Sequence, residues 1–155
     1  MSGQILATGA WARATTDGEL VMRELQDGGR YKPISHRPAL LEAKNHLRGS
    51  DGKAQLTDDV LSQMTCEAVA YRLTSKDSDS VFVIAAARRY MRFLQFTVPE
   101  SYVTSLETSE QMKYLIELRA TPWFDLRSPS GRKNAIGNIV ALVRRQTQAT
   151  SPPSQ

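Results

Sequence analysis

The chain has 155 residues, of which 41% are hydrophobic, 7% aromatic and 23% charged. That length and apolar content suit one domain around one core, and they exclude both a highly charged disordered chain and a disulfide scaffold. The net charge of +4 is unevenly spread: residues 1–79 carry 10 Lys/Arg against 11 Asp/Glu, and residues 80–155 carry 10 against 5. A basic second half suits phosphate-rich or acidic partners.

The longest apolar run, Val81 to Ala87, falls far short of the roughly 20 residues that a bilayer-crossing helix needs. Met1 to Ala10 lacks a basic segment leading into a long apolar one, so no secretory signal is expected. The expected location is cytoplasmic, or within a particle assembled there. Cys66 is the sole cysteine, which rules out an internal disulfide and offers no thiolate metal cluster; it reads as a reduced structural thiol.

In chain order, residues 1–35 carry scattered glycines and one short periodic segment, Glu19 to Gln26, closed by Gly28-Gly29. They read as an irregular arm with one short helix, ended by residues that accept the left-handed conformation. Pro38 to Leu47 reads as a second short helix with Pro38 in its first turn and Gly49 to Gly52 ending it. Thr57 is an N-cap, and Asp58 and Asp59 place negative charge where the helix dipole favours it. The helix they open runs to about Leu73, with Val60, Leu61, Met64, Ala68 and Tyr71 on one buried face. After a polar loop over Ser75 to Ser80, the spacing predicts a central helix over Val81 to Phe96. On it Arg88, Arg89, Arg92 and Gln95 fall within a sector of roughly 120°. A strand over Val81 to Ile84 is the competing reading, because β-branched runs favour sheets.

Pro99 opens a short helical segment with Tyr102, Val103 and Leu106 on one side. Thr108 and Gln111 fit a capping box, which predicts a helix to about Arg119 that buries Met112, Leu115 and Ile116. Thr121-Pro122 starts one turn holding Trp123, Phe124 and Leu126 as a hydrophobic plug. The last helix starts at Ser128 to Gly131 and reaches about Gln146, with Ile136, Ile139, Val140 and Val143 on its apolar face and Gly137 as a weak point. Residues 148–155, with Pro152-Pro153, read as a flexible tail. The expected fold is thus a single-domain bundle of about five to seven helices, its core spanning residues 36–147.

Three constellations bear on function. Arg88, Arg89 and Arg92 would form a cationic stripe that neutralises phosphates; ion pairs to nearby carboxylates are the alternative. Arg127, Arg132 and Lys133, with Ser128, Ser130 and Gly131 at a helix start, would suit an anion, although an ordinary capped helix also explains them. Tyr90, Phe93, Phe96 and Tyr102 could stack bases but fit a core equally. Trp123 and Phe124 are candidate interface anchors. Catalysis finds little support: His36 and His46 lack ligand spacing with Cys66 or a carboxylate pair, Asp58-Asp59 is explained by the helix dipole, and no nucleophile signature surrounds Cys66.

These features lead to the expectation of a non-enzymatic protein that binds the backbone of nucleic acid, RNA or single strands, within an oligomer or filament such as a coat or nucleoprotein. No cofactor, metal or membrane is expected. The alternative is a helical adaptor that binds an acidic or other protein through Trp123, Phe124 and the last helix.

Overall fold

The computed structural model describes residues 2–7, 10–21, 23–26, 29–33, 39–44, 54–75, 78–108 and 114–150. The strands are β1 (Ser2–Ala7), β2 (Ala10–Thr15), β3 (Gly18–Leu20), β4 (Arg23–Gln26), β5 (Arg30–Pro33), β6 (Ala39–Lys44), β7 (Ser80–Ala87), β8 (Tyr90–Thr97), β9 (Glu117–Ala120) and β10 (Phe124–Asp125). The helices are α1 (Asp58–Thr74), α2 (Glu100–Thr108) and α3 (Pro129–Thr150).

A six-stranded mixed sheet organises the chain. Across it the order is β3, β6, β7, β8, and then an edge that β9 and β10 share, since both pair with β8. β6 and β7 run parallel, joined through α1, while the remaining neighbours are antiparallel. β1 with β2 and β4 with β5 form two further hairpins, the first packed on α1.

Two apolar clusters sandwich the sheet. Leu40, Val83, Leu94 and Phe96 pack with Met64 and Ala68 of α1 and Val103 of α2. On the opposite face Ala39, Ile84 and Phe93 pack with Ala135 and Leu142 of α3. Helices on both faces of a sheet make this a layered α/β architecture.

The expected bundle of five to seven helices is therefore corrected, and each substitution of strand for helix has a cause. Val81 to Phe96 is the β7–β8 hairpin, turning at Arg88-Arg89 with Arg88 at φ 52°. Its strands are covered on both faces, so they read as a continuous apolar run that periodicity alone does not distinguish from a buried helix. The competing strand reading of Val81 to Ile84 is the one found.

Ala39 to Lys44 holds good helix formers, yet it is a strand, because two neighbouring strands and cover on both faces outweigh intrinsic propensity. Glu19 to Gln26 is divided between β3 and β4 rather than helical. Of the capping-box helix expected over 108–119, Thr108 ends α2, residues 117–119 lie in β9, and Leu115, expected inside, is 89% exposed, while Gln111 and Met112 lie outside the described residues.

The helix starts at Thr57 and Pro99 hold, while other readings are met only in part. α1 begins under Thr57, whose hydroxyl accepts from the Val60 N–H, and α2 follows Pro99. α3 begins at Pro129 and continues to Thr150, into the segment read as tail. Gly131, Ala135 and Leu142 are buried on it, whereas Ile136 of the expected apolar face is 61% exposed. Cys66, read as structural, lies exposed on α1. The readings on Gly28, His36, Pro38, His46, Gly49 to Gly52 and residues 151–155 lie outside the described residues.

Candidate functional site

The most unusual feature of the interior is a pair of buried carboxylates. Strand alternation puts Glu42 and Lys44 on one face of β6, and the four-residue helical step puts Gln63 and Glu67 on one face of α1. Where α1 crosses β6 the four meet. Gln63 Nε2 donates to Glu42 Oε1 and to Glu67 Oε1, both at 2.8 Å, while Lys44 Nζ donates to Gln63 Oε1 at 2.7 Å and pairs with Glu42. Asp17 closes the β3 side, its Oδ2 accepting from the Ala43 N–H at 2.8 Å.

Glu42 is 1% and Glu67 2% exposed, and Oε2 of each has no hydrogen-bond partner. Burying a charge without full compensation is costly, so a cluster like this opposes stability rather than supporting it. The strain is visible in Glu67, whose pKa is pushed from 4.5 up to about 7. Burial is the main cause; the donated Gln63 hydrogen bond opposes it, and Glu42 adds to it both by its charge and by a hydrogen bond that protonated Glu67 donates to it, while the Lys44 charge lowers it. Among the described residues no three His, Cys, Asp or Glu side chains come close enough to enclose an ion by themselves. Both partnerless oxygens are sealed from solvent between α1 and β6, so an ion such as Mg²⁺, which keeps several waters, would reach them only with a shift of α1 away from the strand.

The sheet register extends this site sideways. Glu42 is paired with Ala85, and Ala85 with Arg92, so the three form one row on the α1 face with a small residue in the middle. At strand spacing, Arg92 lies about 10 Å from Glu42. Its Nε donates to the Thr121 carbonyl at 2.6 Å and its guanidinium lies 5.8 Å from the centre of the Trp123 ring. Trp123 arrives there because the edge strand breaks between β9 and β10: the Thr121 hydroxyl, not a backbone carbonyl, accepts from the Phe93 N–H, and Pro122 has no N–H to offer. Arg92 and Trp123 wall a cleft of about 380 Å³ that also touches Gln55, Leu56 and Leu118.

The next row comprises Lys44, Ala87, Tyr90 and Asp125. Here the structure gathers most of the cations picked out in the sequence, although not as a helical stripe. Arg88 and Arg89 form the β7–β8 turn; Arg89 stacks on Tyr90 and pairs with Asp125 at 3.5 Å. Arg127 pairs with the same carboxylate at 3.2 Å, and its backbone N–H and guanidinium hold Asp125 below the usual carboxylate range.

Arg132 donates to the carbonyls of Leu126 and Arg127, and Lys133 is exposed. The start of α3 is an ordinary capped one: Ser128 Oγ accepts from the Gly131 N–H, and Gly131 is required because a Cβ there would lie 2.1 Å from the Asp125 carbonyl oxygen. Phe124 packs against Phe93 between sheet and α3, and Trp123 against the α1 cluster, so the two are split between opposite faces.

Sequence reasoning passed over Glu42, Lys44, Gln63 and Glu67. The available signal was a charged residue where the pattern calls for an apolar one: Glu67 falls between Met64 and Tyr71 on the buried face of α1, and Glu42 interrupts an apolar run. No protein-family model, curated protein or solved structure matches the chain.

Proposed function

We propose that the protein is a divalent-metal-dependent phosphodiesterase acting on nucleic acid. The observation that carries this reading is the pair of buried carboxylates, Glu42 and Glu67, each with an unpartnered oxygen, beside a lysine. A fold gains nothing in stability from such a pair, and strongly perturbed, desolvated groups concentrate at reactive centres.

The roles follow from the geometry. Glu42 and Glu67 would hold the ion, and Gln63 fixes both carboxylates in place. A divalent ion there would supply Lewis-acid polarisation of a phosphoryl oxygen and activation of water. Lys44 donates toward negative charge that builds on the phosphate. Water adds across one P–O ester bond, leaving a phosphate monoester and a free hydroxyl. Arg88 and Arg89 at the β7–β8 turn, Arg127 beside Asp125, and Arg132 and Lys133 at the start of α3 put a surplus of cations at this edge of the sheet, which favours a polyanionic substrate over a small neutral ester. The nucleic-acid partner expected from the sequence is retained; the chemistry is added.

The test is incubation of the purified protein with labelled single- and double-stranded DNA and RNA, with Mg²⁺, Mn²⁺ or EDTA, alongside calorimetry with Mn²⁺. Metal-dependent cleavage that disappears in Glu42→Ala and Lys44→Ala, and Mn²⁺ binding that disappears in Glu42→Ala, is the expected result. Salt-sensitive binding of an oligonucleotide with no cleavage and no Mn²⁺ binding would overturn it in favour of a non-catalytic polyanion binder.

A further inference from the structure

The cleft beside the carboxylates has a composition that the metal site does not explain. It is walled by one arginine, one tryptophan and aliphatic side chains, and it opens on the same face of the sheet as Glu42, one strand beyond Ala85. We propose that it binds the nucleotide next to the phosphate being cleaved, with the base unpaired, so that the substrate is single-stranded nucleic acid. This rests on the phosphodiesterase reading for its position in the reaction, but its own evidence is the cleft.

Arg92 is held in place for phosphate. Its Nε donates to the Thr121 carbonyl and its guanidinium carbon lies 5.8 Å from the centre of the Trp123 ring, which fixes the side chain's direction. Among the described residues no carboxylate contacts Arg92. Its terminal nitrogens are thus left for the paired hydrogen bonds that arginine makes with phosphate oxygens.

The rest of the cleft suits a base. Trp123, Leu56 and Leu118 present flat and aliphatic surface, and Gln55 supplies an amide at the rim. Its volume of about 380 Å³ lies within the roughly 300–1,000 Å³ typical of small-ligand sites. Stacking on an aromatic ring requires a base released from its pair, which a duplex does not offer without melting.

The experiment measures fluorescence anisotropy of a labelled oligothymidylate and of a duplex of equal length with the full chain in EDTA, so that neither cleavage nor metal binding enters. The single strand is expected to bind at least tenfold more tightly than the duplex. Arg92→Ala and Trp123→Ala should each weaken single-strand binding about tenfold. Because Trp123 also packs on the core, Trp123→Phe serves as its control, keeping a ring and most of the affinity, with circular dichroism confirming the fold of every variant. Equal affinity for strand and duplex, or single-strand affinity unchanged in folded Arg92→Ala, would overturn the proposal. Glu42→Ala separates the two readings: it should abolish cleavage while leaving the strand-over-duplex preference in EDTA intact.

Discussion

Replacing Glu67 by glutamine keeps the side chain's shape and its contact with Gln63 while deleting a carboxylate that the fold tolerates poorly. In the metal-free protein Glu67 binds its proton up to about pH 7, against 4.5 for an ordinary glutamate, chiefly because burial strips its hydration. A carboxyl whose pKa is raised by folding contributes fully below pH 4.5 and loses that contribution as pH rises through 7. At 1.36 kcal/mol per pH unit, the interval corresponds to about 3 kcal/mol by pH 8. For a chain of this size that is a fall in Tm of roughly 6–12 °C.

Thermal melts in EDTA from pH 5 to 8 should show this fall in the wild-type protein and a nearly flat profile in Glu67→Gln. The variant should therefore be the more stable protein at pH 8 and lie within about 1 kcal/mol of wild type at pH 5. Adding Mg²⁺ at pH 8 should raise the wild-type Tm by linkage and leave the variant unmoved. Parallel pH profiles for the two proteins would refute the assignment of an energetic penalty to this carboxylate.

Two further substitutions probe the frame around the site. Gly131→Ala pushes a methyl group into the Asp125 carbonyl and should cost about 1–3 kcal/mol in urea unfolding; a loss under 0.5 kcal/mol would show that the β10–α3 junction yields easily. Arg88→Gly removes a side chain from a left-handed backbone position and should raise stability by about 0.5–1 kcal/mol. The same variant should bind oligonucleotides more weakly and with a shallower salt dependence, read by titrating affinity against NaCl.

How far the sequence discloses this molecule depends on which forces act locally. α1 and α3 were legible because their start signals are local: Thr57 caps one helix, and Ser128 with Pro129 opens the other. The β7–β8 hairpin was not, because a strand buried on both faces has no alternation to display, and its turn carries Arg88 where glycine or asparagine would have announced it. β6 was hidden by its own helix-forming residues.

The site was divided in the same way. The sequence marks Arg92 as part of a cationic stripe on a helix and Trp123 as an interface anchor in a hydrophobic plug, and only the hairpin register brings Arg92 into line with Glu42. Glu42 and Glu67 are 25 residues apart in the chain, and no local pattern joins them. What joins them is the crossover through α1, which sets a helix face against the first strand of a parallel pair.

The broken edge strand has a consequence for solubility. A sheet this apolar would ordinarily offer its last strand as a template on which another chain could add, the first step of aggregation. Here the ladder along β8 is completed by two short pieces, β9 and β10, with Pro122 between them and the Glu117–Arg119 ion pair on the outer piece. An incoming strand meets an interrupted row of donors and a charged surface. At the far side β3 is only three residues long, too short to register a partner. The kink that delivers Trp123 to the cleft therefore also keeps the sheet from growing.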